Sequence, residues 1–375
     1  MPAWFNLAEG YTLLVVASGA LALGAVSGLI GSLALVKKQS LLGDAVAHAS
    51  LPGIVLAFIF VGTRSHSALL IGAALAGWLA ALQILFLVKN RRLKQDSSLS
   101  LMLAVYFGLG MVLLTMVQQQ PGTAQAGIER FLFGEAATML IGDVKIVAIT
   151  ALAVFLLLMI FWKELLIVAF DPQYAASAGY PVVKLEILFS LLVVATIVAG
   201  LQTVGVVLMS SMLVAPAAAA RQWTNNIKLM MFLAMIFGGA AGMAGSLLYS
   251  MIPDLPTGPT IIIIISLIAF LSFFFGPKRG LVWAYMRKHR RQNAANPESI
   301  LGMLYLLSEQ HEDKGHGHSS VIFQSFYPLK KNLNAVLDGL RTEGLISETE
   351  SGYWAITDKG IARVAQQRGH TEVQP

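Results

Sequence analysis

Apolar residues fall in nine long runs, at about 11–36, 45–62, 67–88, 99–117, 140–161, 185–203, 204–220, 229–251 and 259–276. Several approach the roughly 20 residues needed to cross about 30 Å of hydrocarbon, so they predict a bundle of membrane helices. Basic clusters at Lys37-Lys38, 89–94, Lys163, 221–228 and 278–291 separate alternate runs. Placed in the cytoplasm by the bias of inner loops toward Lys and Arg, they put loops 62–67, 118–130 and 252–259 outside. This arrangement has nine spans, an outer N-terminus and a cytoplasmic C-terminus. Region 185–220 also admits one span plus a re-entrant segment around Gln202-Thr203-Val204-Gly205, which makes eight. The first run lacks a basic start, so no cleavable signal is expected and the first helix acts as insertion signal. Gly24-x-x-x-Gly28 and Gly238-x-x-x-Gly242 have the spacing that lets helix backbones approach in lipid.

After Arg291 the pattern changes. Ile300, Leu301, Leu304 and Leu307 share a face of a helix over 297–310. Leu329, Leu333, Val336, Leu337 and Leu340 do so over 328–343, with Gly344 as a stop signal. Two short strand patterns, 345–348 and 353–356, flank Ser351-Gly352 and predict a hairpin. A last helix follows Thr357-Asp358. Helices, a short hairpin and a returning helix resemble a winged-helix domain. The expected fold is therefore an all-α polytopic membrane protein of eight or nine spans with a small C-terminal α/β winged-helix-like domain. The expected boundaries are 1–286 for the membrane part, 287–296 for a basic linker and 297–375 for the C-terminal domain.

Composition narrows the chemistry. Of the 375 residues 56% are hydrophobic and 12% charged, against about 25% charged in soluble domains. There are no cysteines, which excludes disulfides, iron–sulfur clusters and thiolate metal sites. Residues 1–289 carry a net charge of +7 and residues 290–375 a net of −1. The positive excess therefore reports topology, and no nucleic-acid partner is expected.

The candidate chemistry sits in Leu42-Gly43-Asp44-Ala45-Val46-Ala47-His48-Ala49-Ser50-Leu51-Pro52-Gly53. Asp44 and His48, four apart, share one helix face. Pro52 has no N–H and leaves the His48 carbonyl without its helical donor. Ionisable groups within membrane helices are costly and mark ion paths, and an Asp/His pair suits a divalent first-row cation. The same residues also fit a plain reading, in which Asp44 caps a helix and His48 bonds a nearby carbonyl. Lys37-Lys38 places this turn in the cytoplasmic half. Asp254, Glu129 and Glu135 lie in or near outer loops, while Glu164 and Asp171 flank an inner turn and read as structural. His311, His316 and His318 form a short His-rich tract of a kind that binds metals, or a polar loop.

Two stretches carry a resemblance. Ser40 to Asp44 with His48 and Leu51-Pro52-Gly53 is similar to the signature of the metal-cation permease subunits of bacterial ABC importers, which handle manganese, zinc or iron. Val214 to Arg221 resembles that family's segment leading into the cytoplasmic coupling region, and 127–135 is a looser match. The likeness covers about residues 10–285. It implies a metal role for Asp44 and His48, and contact of Arg221, Gln222 and Trp223 with an ATPase. It also implies cytoplasmic ABC ATPase subunits, an extracytoplasmic metal-binding protein and a second permease copy. The cargo would be Mn²⁺ first, then Zn²⁺ or Fe²⁺, in a multi-pass protein of the bacterial cell membrane. The sequence has no G-x-x-x-x-G-K-[ST], so ATP hydrolysis belongs to the partner and the chain is not itself an enzyme. Two other readings are a membrane-tethered DNA-binding regulator and an ATPase-independent secondary transporter. The charge of 290–375 opposes the first, and the lack of a visible inverted repeat opposes the second.

Overall fold

The computed structural model describes residues 7–61, 66–90, 93–119, 134, 141–201, 203–252, 255–286, 297–311, 316–326 and 333–371. They form two compact units, 1–281 and 282–375.

The first unit is helical: α1 (Leu7–Val36), α2 (Leu42–Val61), α3 (His66–Lys89), α4 (Gln95–Gln118), α5 (Ile141–Ile160), α6 (Trp162–Phe170), α7 (Pro172–Ser177), α8 (Val182–Gly200), α9 (Val206–Trp223), α10 (Ile227–Met251) and α11 (Thr257–Phe275). Eight of these are long and apolar enough to cross a membrane: α1, α2, α3, α4, α5, α8, α10 and α11. The apolar run at 204–220 becomes α9, 18 residues long, and accounts for the difference from nine. It packs on α1, α2, α10 and α11. A helix enclosed by helices needs close fit more than bulk, and α9 accordingly uses Ala217, Ala219 and Ala220, all buried. The outer helices leave Phe60, Ile71, Leu75 and Ile263 exposed, as lipid-facing surfaces require.

The break between α8 and α9 is sharp. Gly205 has φ +91° and ψ 161°, a region that side chains with a Cβ rarely enter. Two helices therefore form over 185–220 in place of one long one.

Small residues set the close contacts. A Cβ on Gly24 would overlap the carbonyl of Gly238, one on Gly28 that of Ala234, and one on Gly242 that of Ala20. These pairs run in opposite directions along the two chains, so α1 and α10 lie antiparallel with backbones in contact.

The second unit contains α12 (Pro297–Ser308), β1 (His318–Ser319), α13 (Ser320–Phe326), α14 (Leu333–Thr342), β2 (Ile346–Glu350), β3 (Tyr353–Ile356) and α15 (Asp358–Thr371). Its antiparallel sheet has the order β1-β3-β2, with His318 opposite Trp354 and Ile346 opposite Ile356. Ile300, Leu301 and Leu304 of α12, Phe323, Leu333, Leu337 and Leu340 of α14, Trp354, Ile356 and Val364 form its core. The hairpin and three helices follow the apolar pattern. β1 and α13 do not: a two-residue strand has no period to read, and it joins the sheet only by pairing with β3. Leu329 lies outside the described residues.

Candidate functional site

Asp44 stands in the first turn of α2 and His48 one turn further. The shared face brings His48 Nε2 to 3.3 Å from Asp44 Oδ1, with side chains 15% and 30% exposed respectively. The Ser210 side chain of α9 faces the Asp44 carboxylate and interacts with it. Phe107 of α4 meets the His48 ring edge-on at a centroid distance of 4.9 Å. α2 is held against α9 where Gly43 faces Leu213: a Cβ there would meet Leu213 Cδ2 at 3.0 Å. The carboxylate is thus committed to an imidazole and a hydroxyl from two helices.

His48 Nδ1 is buried and has no hydrogen-bond partner. In a neutral ring, the carboxylate beside Nε2 keeps the proton on that nitrogen, and Nδ1 then carries the lone pair. A buried, unpaired polar atom costs about 1–3 kcal/mol, which a bound cation at that nitrogen removes. Carboxylate oxygen and imidazole nitrogen suit a divalent first-row ion. They are too few to enclose one: among the described residues no three His, Cys, Asp or Glu side chains are grouped to hold a metal. Carbonyls, water or a second copy must complete the shell.

Ser210 precedes Arg221 by eleven residues on α9, about 16 Å at 1.5 Å per residue. Lys37, just past the end of α1, is half-buried. It is folded inward over the Phe189 ring of α8, with its ammonium 4.6 Å from the centroid.

Arg221, Gln222 and Trp223 end α9, and the structure ties them to the segment after α11. The Gln222 carbonyl accepts hydrogen bonds from both the Lys278 and Arg279 N–H groups at 3.2 Å. Arg279 Nε donates to Asn225 Oδ1 at 3.3 Å. Trp223 packs edge-on against Phe237 of α10, 6.1 Å between centroids. Two basic clusters far apart in sequence therefore form one braced surface.

Asp171 accepts from the Gln173 and Tyr174 N–H groups at 2.9 Å and caps α7. Asp254, Glu129 and Glu135 lie outside the described residues. In the second unit the His311, His316 and His318 rings meet, with centroids 4.6, 5.2 and 5.5 Å apart. Arg341 of the same unit is paired with Glu348 at 2.9 Å.

Sequence reasoning missed Ser210 and Phe107. The polar pair Ser210-Ser211 interrupting an apolar run was a usable signal for the first. Phe107 gave none, as one aromatic among many on a lipid-length helix.

Residues 10–276 match the ABC 3 transport family. The zinc transport system membrane protein TroC of Treponema pallidum is 42% identical over 290 residues, 77% of this chain and 97% of that protein. The manganese transport system membrane protein MntC of Bacillus subtilis is 39% identical over 361 residues, 96% of this chain and 82% of that protein. The solved structure of PsaBC from Streptococcus pneumoniae in complex with Fab superposes with a TM-score of 0.62 at 31% identity, covering 72% of this chain and 93% of that one.

Proposed function

Because the chain belongs to the ABC 3 transport family, we propose that it is the multi-pass permease subunit of an ABC importer, carrying a divalent metal cation inward by alternating access. The cargo is Mn²⁺ first, then Zn²⁺ or Fe²⁺. Relatives named for manganese and for zinc transport both support a divalent ion. Affinity alone does not separate these ions at an Asp/His site, because Zn²⁺ binds such donors at least as tightly.

The observation that carries the reading is the Asp44/His48 pair on α2, one turn apart, with Nδ1 of His48 buried and unpaired. Two copies of the permease supply two carboxylates and two imidazoles, enough to neutralise and ligate one divalent ion, and we assign the second copy that part. A cytoplasmic ATPase pair supplies the energy, an extracytoplasmic metal-binding protein delivers the ion, and the C-terminus lies in the cytoplasm. The direct test is uptake of labelled Mn²⁺ into vesicles holding the chain with or without its ATPase. Uptake that needs ATP and the ATPase supports an ABC importer. Uptake independent of both points to a secondary transporter.

Arg221 with Gln222 and Trp223 forms the contact to the ATPase. The braced turn transmits movement, since the Gln222 carbonyl fixes it to the start of the segment after α11. Arg221→Glu is expected to lower ATP-driven uptake at least about tenfold, the loss of a charge-assisted contact of about 1.5–3 kcal/mol. Metal binding by the purified chain should stay at the wild-type level. Unchanged coupling and unchanged ATPase association would remove this assignment.

A further inference from the structure

We propose that His311, His316 and His318 form a three-imidazole binding site for a first-row divalent cation, separate from the Asp44/His48 pair and without a role in the transport path itself.

Three features of the second unit support this. The rings meet within one short tract: His311 lies just beyond α12, His316 precedes β1, and His318 sits within β1 opposite Trp354. Their mutual centroid distances are 4.6, 5.2 and 5.5 Å. Imidazole nitrogens about 2.0–2.1 Å from a tetrahedral Zn²⁺ place ring centroids about 3 Å from the metal and about 5 Å from one another. The spacing is therefore that of a three-histidine shell.

The nitrogen chemistry agrees. His311 Nδ1 is 3.1 Å from the Leu307 carbonyl, so it carries the proton and leaves Nε2 as a lone pair. A carbonyl on the far nitrogen is the usual outer support of a metal-bound imidazole. His318 is 6% exposed and its Nε2 is buried with no hydrogen-bond partner. A nitrogen so placed is left unsatisfied unless something outside the protein reaches it.

One adjustment is needed. His311 and His316 stack with an interplanar angle of 11°. Lone pairs lie in the ring planes, so parallel rings cannot aim at one ion, in keeping with the lack of a preformed three-ligand group among the described residues. His316 is exposed, and rotation about its side-chain bonds turns its nitrogen toward the other two at little cost. With no thiolate or carboxylate in the set, the site favours Zn²⁺, Cu²⁺, Ni²⁺ or Co²⁺ over Mn²⁺. Its preference thus differs from Mn²⁺, the first of the proposed cargoes.

The test uses the full-length protein in detergent, titrated with Co²⁺ as a spectroscopic substitute for Zn²⁺. Visible absorption of tetrahedral Co²⁺ is expected from the wild type and is reversed by added Zn²⁺. His316→Gln, at an exposed position that leaves the core intact, should weaken Co²⁺ binding at least tenfold. His48→Ala should leave the absorption unchanged. The proposal is overturned if the wild type shows no tetrahedral absorption, if His316→Gln binds as the wild type does, or if the signal is lost in His48→Ala instead.

Discussion

Asp44→Asn reduces ATP-driven metal uptake by at least about a hundredfold, because even the outer partners of a metal ligand are worth about ten- to a hundredfold. The substitution keeps the shape of the side chain and leaves a carbonyl oxygen facing Ser210, so insertion and assembly should be unaffected. It removes the negative charge that offsets a divalent ion and leaves His48 Nε2 without its carboxylate at 3.3 Å. His48→Ala should do equal harm by removing the unpaired Nδ1. The two groups act as one site, so the double variant should transport little worse than either single one. Uptake of labelled Mn²⁺ by reconstituted wild type and variants at equal protein content checks the set. Near-normal transport in both single variants would show that the ion passes elsewhere.

Gly238→Ala lowers the stability of the bundle by about 3 kcal/mol, the upper end of the overpacking range, while Gly239→Ala next to it is tolerated within about 0.5 kcal/mol. Both glycines are buried in α10. A Cβ at 238 would overlap the Gly24 carbonyl of α1, a backbone atom that moves only if the whole helix moves. A Cβ at 239 would lie 3.4 Å from the Leu21 carbonyl oxygen, ordinary contact. Alanine also raises helix propensity by about 1 kcal/mol over glycine, so the contrast between neighbours cannot come from propensity. Thermal unfolding of the detergent-solubilised variants measures it. Equal midpoints for the two would show that α1 and α10 are not held backbone to backbone.

The long apolar helices were legible, except for how 185–220 divides, because lipid enforces them. A backbone crossing hydrocarbon must bond to itself and present apolar side chains, so each span writes a long run into the sequence. The Asp44/His48 pair was legible for a related reason. Two ionisable groups at a helical interval in such a run stand out, and the interval alone places them on one face. Within the second unit, the apolar periods of α12 and α14 and the Ser351-Gly352 turn located most of the core.

Spacing along one helix, however, fixes only that helix's own faces. It does not say which other element each face meets. That Gly24 and Gly238 belong to one contact, that Ser210 and Phe107 join Asp44 and His48, and that Gln222 is bonded to Lys278 and Arg279 were decided by packing between elements remote in sequence. The histidine tract is the plainest case. His311, His316 and His318 read as three polar residues in a loop, and only the pairing of β1 with β3 buries one ring and gathers the other two around it.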